Sequence, residues 1–392
     1  MSQPLVIVGS GLAGYNLARE FRKLDKETPL VVVSRDHAGF YSKPMLSNAL
    51  AGKKTAAMLV MKAAEKMREE LNATLLAKTE LKRLDTAAQT LELTSGETIA
   101  YRDLALALGA DPIRLPLPGD AEPDVLSVND LDDYARFAER LEGADTVAIL
   151  GGGLIGCEFA NDLLHRGVAP TVIDVADKLL SRLLPPQASD RLQEKLGAAG
   201  VAFRLGVSVT RVDRDVNGYQ LTLSDGSRLY ADRVLSAIGL RPRTGLASAA
   251  GIATQRGVTT DRLLATSAPH VYALGDCAEV AGLSLPFVLP LMAQTRALAA
   301  TLAGTPTPVV YPAMPVTVKT PACPTVVCPP LPGGAGSWTV ELSDDACTAR
   351  FTDATGRLLG FALLGTAVSQ RQALAAQVPA WLDGSDRQRV DV

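Results

Sequence analysis

Three sets of residues in this chain have types and spacings that could do chemistry. The first is glycine. Leu5-Val6-Ile7-Val8-Gly9-Ser10-Gly11-Leu12-Ala13-Gly14 runs from an apolar stretch into Gly-x-Gly-x-x-Gly, and residues 147–156 repeat the pattern around Gly151, Gly153 and Gly156. In such a loop Gly9 permits a tight turn, Gly11 lets a pyrophosphate approach the backbone, and Gly14 lets helix and strand pack closely. The helix that follows turns unpaired N–H groups and a positive dipole end toward the phosphates. The second set is acidic. Asp174 closes the run Thr171-Val172-Ile173, placed to accept hydrogen bonds from ribose 2′ and 3′ hydroxyls. A 2′-phosphate there would meet a like charge, which favours NADH over NADPH, although Lys178 and Arg182 nearby are able to receive a phosphate. Asp276, in Tyr272-Ala273-Leu274-Gly275-Asp276-Cys277, ends a strand in Gly-Asp. That arrangement sets a carboxylate against the ribityl hydroxyls of FAD, and NAD has no ribityl chain. The third set is Lys43, beside Pro44, and Glu158, two residues past Gly156. Lys43 is either a surface lysine or a cation in a stiffened loop. Glu158 either answers the dipole of its helix's first turn or stands near nicotinamide and flavin.

The elements that must position these residues form a repeat. After the first loop, Leu17, Ala18, Phe21 and Leu24 keep helical spacing, and Leu30–Val33 reads as the second strand of a βαβ unit. Where an acid usually closes that strand, the chain has Ser34-Arg35-Asp36. Asp36 reaches a ribose from a displaced position, Arg35 covers the adenine, or both sit in a solvated turn. Residues 90–101 predict a hairpin turning at Ser95-Gly96, followed by a buried strand at 104–108 and then Gly109 and Pro112. Residues 219–230 turn at Asp225-Gly226, and a strand at 234–238 leads to Gly239 and Pro242 with the same spacing. Two related dinucleotide units therefore occupy one chain. Residues 290–297 read as a helix aimed at the flavin ring, where its dipole favours the anionic reduced form. After the proline-rich hinge at 304–308 come strands at 316–318, 338–340 and 358–363, a closing helix at 368–374, and a polar end at 384–392. The fold predicted is α/β: two Rossmann-like, three-layer ββα dinucleotide-binding domains plus a small α+β C-terminal domain. The boundaries expected are 1–112 with 243–310 for a discontinuous FAD unit, 113–242 for the NAD(H) unit and 311–392 for the last.

Bulk composition removes other classes. At 392 residues several domains are expected, and a net charge of −3 argues against a nucleic-acid partner. No long apolar span is present, and the first buried strand begins at Leu5. This predicts neither a signal peptide nor a membrane span. Five cysteines without framework spacing fit a reducing compartment, so a cytoplasmic address is expected. Cys323 and Cys328 have the spacing of a redox pair but lie in a proline-rich stretch, and in a strand they would face opposite ways. Cys157 and Cys277 read as packing residues. His37, His165 and His270 are not spaced with cysteine for zinc, so no metal is expected.

Taken together, these residues resemble the FAD-dependent pyridine nucleotide reductases of the glutathione-reductase structural class. Within it they are most similar to the set without a redox disulfide, which includes rubredoxin and ferredoxin reductases. The likeness rests on residues 11–20, 41–47, 154–163, 272–280 and 314–324, and it covers nearly the whole chain, with no cysteine at 41–47. The rubredoxin reductases are the nearer match. The resemblance implies that Ser10, Gly11, Leu12 and Ala13 lie along the FAD pyrophosphate. Ser34 and Arg35 would contact the adenosine end, and Leu81 the adenine through its backbone. Asp276 would hold the ribityl chain, with Lys43, Glu158, Val288 and Lys319 around the flavin ring as redox-site neighbours. NADH would lie along Gly151, Gly153 and Gly156 with Asp174 on its ribose. Electrons would pass through FAD singly to rubredoxin, a small and usually acidic iron protein, for a downstream oxygenase or oxidase such as an alkane hydroxylase. A ferredoxin reductase of an oxygenase system and a slow-turnover flavin redox sensor are the rival readings. Both monomers and homodimers are compatible with the family.

Overall fold

The computed structural model describes residues 3–382; the polar end at 384–392 lies outside them. The opening apolar run forms strand Leu5–Val8, buried throughout. It lies between Leu30–Val33 and Asp103–Leu106, parallel to both. Thr74–Leu76 and Val271–Ala273 complete a five-stranded parallel sheet. A sheet covered on both faces tolerates uninterrupted apolar strands, which is why Leu5–Val8 does not alternate. The chain leaves this sheet after Leu106 and returns to it only at Val271.

Helix Leu12–Leu24 buries Leu17, Ala18 and Phe21, as their spacing predicts. Leu24, expected on the same face, is 59% exposed. Thirteen helical residues run about 20 Å, whereas a four-residue strand spans about 13 Å, so the last turn overhangs the sheet. The second unit repeats the plan, with parallel strands in the order Ala202–Leu205, Ala169–Asp174, Thr146–Leu150 and Arg233–Ser236. Each unit also carries a three-stranded antiparallel sheet. One is Leu81–Asp85, Thr90–Leu93 and Thr98–Ala100; the other is Val209–Arg214, Tyr219–Leu223 and Arg228–Ala231. Their turn glycines, Gly96 and Gly226, take φ of +89° and +81°, a conformation glycine adopts without steric cost. The two units are joined where Ala110–Pro112 pairs antiparallel with Leu240–Pro242.

The last unit is a five-stranded antiparallel sheet in the order Val316–Val318, Thr325–Cys328, Leu358–Gly365, Ala346–Thr352 and Ser337–Leu342. Two of its strands were hidden from pattern reading. Thr325–Cys328 is bracketed by Pro324 and Pro329, and Ala346–Thr352 is built largely of small and polar residues. The closing helix expected at 368–374 is instead a 3₁₀ segment, Thr366–Gln370, running into Arg371–Ala375. The chain enters it straight from a strand through Gly365 at φ +64°, and its first turn is 3₁₀, as is common at helix ends.

One core surrounds the first sheet. A second core joins all three units, packing Leu50 with Phe137, Phe159 and Leu163 and with Val327 and Leu364. At its centre is helix Leu154–Leu164, whose residues from Gly156 to Leu163 are all buried. Among the described residues, no helix is long and apolar enough to cross a membrane.

Candidate functional site

The two glycine loops fold alike. Gly9 has φ +117°, and a Cβ on Gly14 would stand 1.8 Å from the Gly9 carbonyl oxygen; Gly151 and Gly156 repeat this at +109° and 1.9 Å. Those glycines are demanded by the protein itself. Gly11 and Gly153 are not: each N-caps its helix with an ordinary φ, and a Cβ there would meet nothing within 4 Å. Neither helix start has a side-chain cap, so no side chain answers the first-turn N–H groups of helices Leu12–Leu24 and Leu154–Leu164. A cradle with free donors and no protein filling it fits a pyrophosphate at each loop.

Around the first loop, the Ser10 and Ser34 hydroxyls lie 2.6 Å apart and both are within hydrogen-bond reach of the Asp36 carboxylate, at 3.1 and 2.7 Å. Asp36 also accepts from the Ala38 amide, so its carboxylate organises the turn. Arg35 is half exposed, 4.0 Å from Asp111. Leu81 starts the first antiparallel sheet, paired with Leu93. Asp276 follows Gly275, which comes so near Ala13 that a Cβ would stand 2.8 Å from the Ala13 Cβ. Asp276 thus sits against the first glycine loop, and its carboxylate lies 3.7 Å from Lys43 Nζ. Burial pulls Lys43 below the ordinary lysine pKa; Asp276 opposes that shift and Arg243 adds to it. Val288 opens helix Val288–Leu302, two residues earlier than predicted, and is 41% exposed.

At the second loop, both oxygens of Asp174 face backbone amides: one accepts from Gly152, the other from Ala176 at 2.7 Å. Lys178, an alternative phosphate receiver, is paired with Asp190.

Glu158 lies in the second turn of Leu154–Leu164, past the orphan N–H groups that a first-turn acid would answer. It is 1% exposed and accepts from the Ser47 hydroxyl at 2.6 Å, the Lys319 amide at 3.0 Å and the Lys319 ammonium. Residues of all three units therefore meet at one carboxylate. Nearby, Asp162 accepts from the amides of Leu50 and Ala51, each at 2.9 Å, and Asn161 from the amide of Ala322 at 3.0 Å. Burial raises the Asp162 pKa above the ordinary carboxylate value despite those amides.

Ser47, Asn161, Asp162, Arg243 and Gln294 were not singled out from the sequence. Arg243 binds Asp111 at 2.7 Å and the Leu108 carbonyl at 2.8 Å, clasping the crossing between units. Gln294 accepts from the Gly275 amide at 2.7 Å, holding the turn that carries Asp276. A signal existed for Asn161 and Asp162: with Glu158 they stand at i, i+3 and i+4 in an otherwise apolar helix. All five cysteines are free and buried, and burial pushes Cys157 up to about 12 and Cys277 and Cys328 up to about 11. Cys323 packs in the core shared by the three units and Cys328 in a separate cluster around Phe361, so they lie on different faces. Among the described residues no group of three or more potential metal ligands occurs.

Two glycine-loop units joined at a shared acid define a pyridine-nucleotide oxidoreductase. Residues 3–300 match the pyridine nucleotide-disulphide oxidoreductase family, and the chain belongs to it. Residues 308–378 match the rubredoxin binding C-terminal domain. The chain is 51% identical over 378 residues to the rubredoxin-NAD(+) reductase of Alcanivorax borkumensis, covering 96% of this chain and 99% of that one. It is 48% identical to the rubredoxin-NAD(+) reductase of Acinetobacter baylyi, covering 96% and 98%. The ferredoxin reductase structure from Rhodopseudomonas palustris superposes with a TM-score of 0.88 at 27% identity, covering 96% of each chain.

Proposed function

We propose that this chain oxidises NADH with FAD as its resident cofactor and delivers the electrons one at a time to a rubredoxin. The observation that carries this reading is the Glu158 junction. There Lys319, inside the rubredoxin-binding match, is bonded to the helix whose N-terminus fits the second dinucleotide. A third unit that matches the rubredoxin binding C-terminal domain favours rubredoxin over ferredoxin as acceptor. We take 1–112 with 243–310 as the FAD unit, 113–242 as the NADH unit and 311–392 as the acceptor unit. Free, buried thiols suit a reducing compartment, so we place the protein in the cytoplasm, serving an oxygenase or oxidase such as an alkane hydroxylase.

FAD, when bound, supplies the step that accepts a two-electron reductant and releases electrons singly. The residues supply orientation and charge. Ser10, Gly11, Leu12 and Ala13 lie along the FAD pyrophosphate, Ser34 and Arg35 face its adenosine end, and Leu81 borders the adenine. Asp276 takes ribityl hydroxyls. Lys43 and Lys319 place positive charge at the flavin edge, and Val288 covers it with apolar surface. Gly153 and Gly156 receive NADH. Asp174, with both oxygens already on backbone amides, disfavours a 2′-phosphate.

Steady-state reduction of purified rubredoxin by NADH tests this. Expected is rapid NADH-dependent reduction, with ferredoxin and oxygen reduced much more slowly. Efficient ferredoxin reduction with rubredoxin nearly inert would refute the acceptor assignment, and slow turnover with every acceptor would favour a redox sensor.

A further inference from the structure

Helix Leu154–Leu164 grips both lysine-bearing segments, chiefly by their backbones. On one side Glu158 takes the Ser47 hydroxyl and, one turn on, Asp162 takes the successive amides of Leu50 and Ala51. On the other, Glu158 takes the amide of Lys319 and Asn161 takes that of Ala322. All three side chains are at most 2% exposed. A buried carboxylate is costly unless its lone pairs are used, and those of Asp162 are used on main-chain N–H groups. The segment it holds is short and stiff: Pro44 and the 3₁₀ helix Lys43–Asn48 connect Lys43 directly to Leu50.

We propose that Asp162 and Asn161 are positioning residues for electron transfer, Asp162 setting Lys43 and Asn161 setting Lys319 at the flavin edge through the backbones of their segments. One helix then registers both cations, from two different units, at the flavin edge, while its own N-terminus holds the NADH that faces it. The inference rests on the cofactor reading above. Apolar packing of Leu46 and Leu50 is the competing way to place Lys43, and it would need no acid at 162.

The test compares holoenzyme carrying Asp162→Asn or Asn161→Ala with wild type. The readouts are amide hydrogen exchange, the flavin midpoint potential, and kcat and KM for NADH. Asp162→Asn turns one amide N–H onto a side-chain NH₂. Expected is about 10-fold faster exchange at Leu50 and Ala51, a more negative midpoint potential, and a kcat lowered about 10-fold with KM nearly kept. Asn161→Ala is expected to speed exchange at Ala322 and to slow electron delivery to rubredoxin more than reduction by NADH. If Asp162→Asn does not fold, Asn161→Ala carries the test alone. Faster exchange with unchanged potential and rates would overturn the proposal and leave both residues purely structural. Wild-type protein that stays colourless with added FAD would overturn the cofactor reading, and this proposal with it. A yellow, NADH-reducible wild type with variants of unaltered potential would overturn the proposal alone.

Discussion

Separating Glu158 from Lys319 gives the sharpest measurement of how the three units are held together. Glu158 is fully buried and accepts three hydrogen bonds, whereas Lys319 keeps 26% of its side chain exposed. Hydrogen bonds to a charged group contribute about 1.5–3 kcal/mol net, and removing one partner of a buried pair costs about 3–5 kcal/mol. Glu158→Gln leaves the Lys319 ammonium able to turn toward water; its oxygen still accepts from the Lys319 amide, and its NH₂ faces the Ser47 hydroxyl, which can rotate to accept. Its expected cost is therefore at the low end, about 2 kcal/mol. Lys319→Met strands a carboxylate that cannot reach water, so its expected cost is higher, about 3 kcal/mol. The double variant should cost less than the sum, with a coupling of about 1–2 kcal/mol. Urea denaturation of the four proteins, compared through midpoint and slope, measures all three quantities. A coupling below about 0.5 kcal/mol, or Glu158→Gln costing more than Lys319→Met, would refute the picture of a desolvated acid held by a partly solvated cation.

Glycines in the first loop separate two demands: Gly14→Ala, which drives a Cβ into the Gly9 carbonyl, should unfold or strongly destabilise the protein. Gly11→Ala meets no protein atom, so the apoprotein should melt as wild type while FAD affinity falls at least about 10-fold by titration; unchanged affinity would remove the pyrophosphate from this cradle. Lys43 gives a pH dependence. Its folded pKa is depressed by burial, so the folded state sheds this proton before the unfolded state does. Its contribution to stability therefore rises with pH from the folded value up to the ordinary value near 10.4. Over the same window the charge beside the flavin is lost, so flavin reduction should slow with increasing pH, and Lys43→Arg should flatten the profile; an identical profile in the variant would show that another group titrates. Finally, Cys323→Ala with Cys328→Ala should keep rubredoxin reduction within about two-fold of wild type, because the thiols lie on different faces. A 10-fold loss would restore a disulfide relay to consideration.

Local chemistry made much of this protein legible in one dimension. The glycine spacings 9–11–14 and 151–153–156 are written in sequence because turn, approach and packing all occur within six residues. The paired hairpins are written there too, as is the Gly275-Asp276 strand end, since each depends on neighbours in the chain. What the tertiary structure alone decided is who shares a buried charge. Nothing local relates Ser47, Glu158 and Lys319, and the position of Glu158 suited a helix-dipole role as well as any other. Only when the second core brings three units onto one helix must a desolvated carboxylate find partners, and it takes them from wherever folding has put the nearest donors. Asp36 shows the same in reverse: by sequence a ribose contact or part of a solvated turn, it is committed to Ser10, Ser34 and Ala38 once the turn closes. Hydrogen-bond satisfaction in the interior is a property of the packed whole, and so it can be read only there.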